Sequence, residues 1–252
     1  MSSYDRFAAY YDALTDDVQY ARRAAYLRDL LSRFGVRDGL VLDLACGTGS
    51  MTIEMAGHGY DMIGVDASAG MLSVAQQKAT DAGCNILFLC QRMQQLDLYG
   101  TVRGTICTLD SLNHLTDEAD LRETVRRVSL FTEPGGVFVF DVNTPYKHRA
   151  VLANNSFVRE SDDVFCVWQS EISGSDTVRI TLDFFERDED KDVYYRSTEQ
   201  FCERSYDLQL LREVLETYGF EVSGVFDEFA PTEPAADAQR IVIAAIKGDY
   251  HG

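Results

Sequence analysis

Three regimes of hydrophobic patterning follow one another along the chain. From about Val18 to Phe34, Tyr20, Ala24, Leu27, Leu30 and Leu31 recur at helical spacing, which predicts a helix ended by Gly35 and Gly39. An aromatic- and Ala-rich stretch from about Asp5 to Leu14 predicts a helix before it. Short apolar runs then alternate with helical patterns. The runs are Leu40–Leu44, Tyr60–Val65, Ile86–Cys90, Thr105–Leu109 and Val137–Val142, the last entered through the turn Pro134-Gly135-Gly136. Helices are expected from Ser50 to Ala56, from Ala69 to Thr80, and where Leu121, Val125, Val128 and Leu130 repeat. Strands that are apolar at every position must be buried on both faces. Alternating with helices, they imply a parallel sheet covered on both sides.

After Pro145 the period changes. Val178, Ile180, Leu182 and Phe184 alternate with Arg179, Thr181 and Asp183, as in a half-buried antiparallel strand. Val164–Trp168 and Val193–Cys202 are its expected neighbours. The run Asp188-Glu189-Asp190-Lys191-Asp192 reads as a solvated turn. A helix from Leu208 to Tyr218 and strands Phe220–Phe229 and Arg240–Ile246 close the chain. The expected division is a main domain, 1–150 and 207–252, carrying an antiparallel β insertion, 151–206.

Charge narrows the partners. The formal net charge is −18, a surface that repels phosphate backbones and disfavours nucleic acid. The densest basic group, Arg122, Arg126 and Arg127, reads as a solvated helix face. Six cysteines occur, with no C-x-x-C pair and no His at ligand spacing, so no metal is expected and the pattern fits a reducing cytoplasm. The segment Met1 to Asp5 lacks a charged-then-apolar signal pattern, and no apolar run reaches membrane-spanning length. A cytoplasmic protein is the expectation.

The chemistry concentrates in Val41-Leu42-Asp43-Leu44-Ala45-Cys46-Gly47-Thr48-Gly49, with Asp66 ending the next strand. A nucleoside cofactor needs a strand-to-helix turn with little side chain, so that the backbone can approach it. It also needs a carboxylate at the neighbouring strand end to accept from ribose hydroxyls. The dinucleotide fingerprint would want a small residue where Thr52 stands. Acid-x-small-x-Gly-x-Gly fits Asp43, Ala45, Gly47 and Gly49 directly.

Together with Asp66, Met71, Asp110-Ser111 and Pro134-Gly135-Gly136, this segment resembles the first motif of class I S-adenosylmethionine-dependent methyltransferases. The resemblance implies an α/β fold with a Rossmann-like, mostly parallel seven-stranded sheet, helices on both faces and a small antiparallel β insertion. It implies S-adenosylmethionine as cofactor. The turn from Ala45 to Gly49 would lie along methionine and ribose, Asp66 at the ribose and Met71 beside adenine, with Ala67 a further cofactor-binding candidate. The insertion resembles that of sugar N,N-dimethyltransferases and bacterial relatives, where it covers the acceptor pocket. The stretch Tyr4 to Asp12 is similar to the helix that covers the cofactor in small-molecule members, with Tyr11 its nearest candidate. After the third strand the family often has an acid followed by a hydrophobic residue. Here Gln91-Arg92-Met93 puts Arg92 at the acid position, with Gln91 or the Met93 backbone as substitutes.

Asp43, within an apolar strand, is expected to order the Gly-rich turn. Cys46 reads as a packed small residue, for want of a partner that would generate a thiolate. Tyr4, Tyr10 and Tyr11 form an aromatic surface suited to a sulfonium. His114, just past the fourth strand, is the candidate base, beside Asp110 and Ser111; Tyr11 is the second catalytic candidate. His58, His148 and His251 are less well placed. The reading is methyl transfer to N or O of a small-molecule acceptor, with a homodimer possible. Two alternatives stay open: a non-catalytic cofactor-binding regulatory or interaction protein, and an NAD-dependent oxidoreductase.

Overall fold

The apolar stripe near the start of the chain forms α1 (Tyr20–Arg33), with Ala24, Leu27, Leu30 and Leu31 buried. The computed structural model describes residues 18–161, 164–188, 191 and 193–248. The helix expected from Asp5 to Leu14, with Tyr4, Tyr10 and Tyr11, lies outside them, as do His251 and part of the acidic turn. Next come β1 (Leu40–Leu44), α2 (Ser50–Gly57), β2 (Asp61–Asp66), α3 (Ala69–Asp81), β3 (Leu87–Cys90), β4 (Val102–Cys107), α4 (Glu118–Phe131) and β5 (Thr132–Asn143). Four strands follow: β6 (Asn155–Glu160), β7 (Val164–Ile172), β8 (Thr177–Arg187) and β9 (Tyr194–Arg204). The chain then returns through α5 (Leu208–Thr217), β10 (Phe220–Asp227) and β11 (Arg240–Lys247).

The main sheet has the order β10-β11-β5-β4-β1-β2-β3. Only β11 runs against the rest, pairing antiparallel with both β10 and β5. Alternate residues of each strand enter opposite cores. Leu42, Leu44, Phe138, Phe140, Ile241 and Ile243 pack with α4 and α5. Val41, Val137, Val139, Val242 and Ala244 pack with α1 and α2 on the other face. This is the doubly covered sheet that the uninterrupted apolar runs required.

The second sheet has the order β6-β7-β8-β9, all antiparallel. It has its own small core of Val164, Cys166, Val178, Ile180, Leu182 and Phe184, joined by Leu152. Its first strand, β6, is mostly polar and exposed, so no hydrophobic period announced it. Arg122, Arg126 and Arg127 pair with Glu118, Glu123 and Glu213 on α4 and α5, the solvated face that their spacing suggested.

Besides β6, two strands differ from expectation: β5 begins at Thr132, so that Pro134-Gly135-Gly136, read as a turn, lies within it, and β4 ends early. The apolar run read as Thr105–Leu109 is β4 only as far as Cys107. Leu109 and Asp110 leave it in the left-handed region, at φ 58° and 54°. Their amide N–H groups, lost to the sheet, donate instead to the two carboxylate oxygens of Asp141 at 2.9 and 2.8 Å. Leu109 is apolar because it lines a cavity, not because it continues a strand.

Candidate active site

The sheet order reverses direction at β1, whose neighbours are β2 and β4. Open α/β sheets bind ligands outside the carboxyl ends of strands at such a switch point. An open cavity lies there, walled by Tyr20, Asp43, the turn from Ala45 to Thr48, Ser50, Met51, Thr108, Leu109 and Ser111.

The turn after β1 is built for close approach. Ala45 and Gly47 take positive φ, 63° and 55°, and a Cβ on Gly47 would meet nothing within 4 Å. Gly47 is itself part of the cavity wall. Gly49 is constrained differently. It sits at φ 74° before α2, and a Cβ there would stand 2.9 Å from that of Ala75. One glycine thus opens the ligand side, and the other lets α2 and α3 pack closely.

Two carboxylates hold this turn. Asp66 accepts from the Gly47 N–H at 2.9 Å and from the Ser68 N–H at 2.8 Å. Burial raises its proton affinity above the ordinary value, against the effect of those donors. Each oxygen has a second lone pair, so the carboxylate can also accept from ligand hydroxyls. Asp43 is almost wholly buried, and its Oδ2 accepts from the Thr52 hydroxyl at 2.6 Å. Thr52, which breaks the dinucleotide pattern, is therefore the partner of the buried acid. Burial pushes the Asp43 carboxyl up to about 7, with Thr52 opposing the shift and the charge of Asp66 adding to it. Burial likewise raises the Cys46 thiol, which leaves it un-ionised and packed.

Asp43, Ala45, Gly47 and Ser111 meet at the cavity, and Gly49 and Asp66 brace its turn. Ala67 is exposed beside Asp66, and Met71 is buried in the first turn of α3, where its N–H donates to the cap Ser68. The Gln91 N–H donates to the Asp66 carbonyl at 2.9 Å. Its side-chain amide is engaged on the backbone of Asp97, donating at 3.1 Å and accepting at 2.9 Å. Arg92 is exposed, and Met93 opens a short 3-10 turn, Met93–Gln95. Tyr11 lies outside the described residues.

Asp110 and His114 bracket a second 3-10 turn, Ser111–His114. The His114 ring packs on Phe201 of β9, with centroids 5.0 Å apart. One ring nitrogen of His114 and one oxygen each of Asp110 and Glu203 lie within 4.8 Å of one another. Sequence reasoning missed Glu203, because nothing in its strand's polar pattern sets it apart. It also missed Asp141 and Arg240. Asp141 sits among Phe138, Phe140 and Val142, and a lone acid in an apolar strand is the signal that singled out Asp43. Arg240 bonds to Asp141 and, at 2.5 Å, to Asp110; Arg23 stands 3.6 Å from Asp141. His148, which had no assigned place, is buried with Nε2 3.6 Å from a Glu203 oxygen.

A glycine-opened turn at a switch point, with a carboxylate at the next strand end, defines a Rossmann-like protein that binds a nucleoside-bearing cofactor. Comparison with known proteins specifies the cofactor. A family model described as a methyltransferase domain matches residues 41–136. YqeM of Bacillus subtilis, which carries a provisional methyltransferase name, is 32% identical over 97% of this chain and 97% of its own. A crystal structure of an S-adenosylmethionine-dependent methyltransferase from Clostridium acetobutylicum is 30% identical, with a TM-score of 0.88 over 97% of this chain and 99% of that one. The sugar N-methyltransferase KedS8 from a Streptoalloteichus species shares the fold, with 20% identity and a TM-score of 0.77 over 92% and 89% of the two chains. The chain belongs to the class I S-adenosylmethionine-dependent methyltransferases. It is an enzyme of that class, and S-adenosylmethionine is its cofactor.

Proposed function

We propose that the enzyme methylates a nitrogen or oxygen atom of a small-molecule acceptor, with residues 1–150 and 207–252 holding the cofactor and 151–206 covering the acceptor. The observation that carries this reading is the cavity at the ends of β1 and β4, whose turn is braced by Asp66 and whose wall includes Ser111 at the start of the turn that ends at His114. The residues fit the cofactor. The open side of Gly47 admits its backbone-hugging portion, and Asp66 has lone pairs for the ribose hydroxyls. Met71 and the Gln91–Met93 segment are assigned to the adenine end, and Asp43, Ala45, Gly49, Ala67, Asp110 and Ser111 to the rest of the cofactor surface. Tyr11 is assigned to the sulfonium side.

S-adenosylmethionine supplies an activated methyl group on a sulfonium that leaves readily. The work left to the chain is alignment, exclusion of water and removal of an acceptor proton where one must leave. Alignment falls to the rigid turn between β1 and α2. Exclusion of water falls to the β6–β9 sheet, and His114 takes the proton. The net charge of −18, which disfavours nucleic acid, supports a small acceptor. Six free cysteines favour a cytoplasmic setting. Among the described residues no helix is long and apolar enough to cross a membrane.

The reading is tested by calorimetric titration with S-adenosylmethionine, followed by a metabolite library screened for release of S-adenosylhomocysteine. Binding together with acceptor-dependent release is the expected result. Acceptance of macromolecular substrates alone would overturn the small-molecule assignment. A second reading of the insertion, as a homodimer contact, is favoured by the exposed Val158, Ile172, Tyr194 and Tyr195.

A further inference from the structure

The β6–β9 sheet does more than cover the crevice if one of its side chains takes part in the chemistry beneath it. Glu203, near the end of β9, is 2% exposed, yet the surroundings favour its charged form. Asn143 donates to its Oε2 at 3.3 Å, and Nε2 of His148 lies 3.6 Å from the same oxygen. Burial acts to raise its carboxyl, but His148, His114 and Asn143 outweigh burial and hold it below its ordinary value of 4.5. Lys147 is also close, donating to the Asn143 side chain at 2.9 Å.

The approach of Glu203 to His114 is fixed by the fold on both sides. Asn113, wholly buried, donates to the Arg204 carbonyl at 2.9 Å and to the Asn143 carbonyl at 3.2 Å, while its oxygen accepts from the Asn143 N–H at 2.9 Å. The residue before His114 is thus tied to the residue after Glu203. The Tyr206 hydroxyl donates to the carbonyl of Leu115 and repeats the tie two residues further along both segments. Phe201, two residues before Glu203 on the same strand face, packs on the His114 ring. The ring is therefore held by the very strand that delivers the carboxylate.

We propose that His114 and Glu203 form a proton-accepting pair on the acceptor side of the crevice, with His114 taking the proton and Glu203 as its positioning residue. The inference rests on the methyl-transfer reading above. In the step, the acceptor atom's lone pair forms the new bond to the methyl carbon, and the pair of the broken sulfur–carbon bond returns to sulfur. The acceptor's proton passes to a ring nitrogen of His114, and the pair of that broken bond stays on the acceptor atom. The imidazolium so formed faces the Glu203 carboxylate. Asp110 is the other carboxylate near the ring, and it is already committed to Arg240. Catalytic hydrogen bonds are often long in the free enzyme and shorten when the site is filled. A separation within 4.8 Å is compatible with that closure.

The test has two arms on the full chain. The first needs no acceptor and no cofactor: the carboxyl of Glu203 is followed through a pH titration by carbon-13 NMR, assigned with Glu203→Gln. In the parent protein Glu203 should take its proton below the ordinary carboxyl range, and in His114→Gln at a higher pH than in the parent. An unchanged midpoint in His114→Gln would overturn the pairing. His114 is exposed, so that variant is expected to fold. The second arm uses the acceptor found by the library screen. Glu203→Gln should lose about 100-fold in kcat, within the usual range for assisted proton transfer, with an unchanged KM for S-adenosylmethionine. Its loss should also alter the acid limb of the kcat profile against pH. A parent-like kcat and profile in a folded Glu203→Gln protein would overturn the proposal. If the library yields no turnover at all while the titration shows the coupling, it is the small-molecule acceptor assignment that fails and not the pairing of Glu203 with His114.

Discussion

Replacing Asp43 by Asn should change how stability depends on pH, and the structure sets the size and sign. The carboxyl is 1% exposed and has one hydroxyl donor, Thr52. Burial pushes it from an ordinary 3.8 to about 7. Between those values the folded protein keeps a proton that the unfolded chain has released. The contribution of Asp43 to stability is therefore full below the unfolded value and is lost as pH rises through about 7. The difference between 3.8 and about 7 is worth about 4 kcal/mol at 1.36 kcal/mol per pH unit. The amide of the Asp43→Asn variant would keep an oxygen for the Thr52 hydroxyl and cannot ionise. The variant should therefore gain on the parent by up to about 4 kcal/mol between about pH 4 and about pH 8. For a chain of this size that is roughly 8–16 °C in Tm. The measurement is scanning calorimetry of both proteins, without cofactor, at matched pH values across that range. The parent's other carboxylates cancel in the difference. A gap that stays constant with pH would refute the reasoning, because Asp43 would then titrate alike in the folded and unfolded states.

Asp66→Asn should weaken S-adenosylmethionine binding about tenfold or more, since a hydrogen bond to a charged group is worth roughly 1.5–3 kcal/mol; calorimetric titration giving parent-like affinity would remove Asp66 from the cofactor site. Arg92→Asp should leave that affinity equal or tighter, because Arg92 is exposed and the change supplies an acceptor near the adenine end. Loss of binding in the folded Arg92 variant, read in the same titration, would give Arg92 a positive role. Replacing Ser156 to Ser205 by a short Gly/Ser linker should leave a folded protein that binds cofactor but does not turn over acceptor, since this segment packs mainly on its own core. Light scattering on that deletion distinguishes a cover from a homodimer contact: a dimeric parent and a monomeric deletion would favour the contact.

The parts of the fold legible in the sequence are those whose signal is local. Val41 to Leu44 and Val137 to Val142 announce buried strands because nearly every position is apolar, and the structure buries them between two layers of helices. The turn from Ala45 to Gly49 is legible because close backbone approach excludes side chains, whatever the rest of the chain does. Strand β6 was not legible, because an exposed edge with a polar sequence has no period to read. Leu109 misled for the opposite reason: an apolar side chain in a cavity wall is indistinguishable in sequence from one in a strand. Thr52 was read only as a misfit to a glycine pattern, and its hydrogen bond to Asp43 gives it a positive role that no spacing rule contains. Glu203 and His148 were beyond reach because their meaning depends on a contact between the second sheet and the end of β5.

The same contrast separates the two halves of the crevice. The cofactor half hangs on a short turn and one neighbouring strand end, so it is encoded within a few dozen residues. The half proposed above for the acceptor hangs on Asp141, a buried carboxylate. Its oxygens take the N–H groups of Leu109 and Asp110, which forces the chain out of β4 and starts the turn that ends at His114. Arg240 from β11 and Arg23 from α1 balance its charge. Arg240 also reaches Asp110 and, at 3.3 Å, Glu228. A planar guanidinium can bridge three carboxylates with separate N–H groups in a way that an ammonium cannot. Breaking such a buried pair typically costs about 3–5 kcal/mol, because the remaining charge is left uncompensated. Arg240 is therefore a support for the turn and not a recognition group for an anionic acceptor. On the reading proposed above, what the turn presents to the acceptor is the exposed ring of His114, with Glu203 buried behind it.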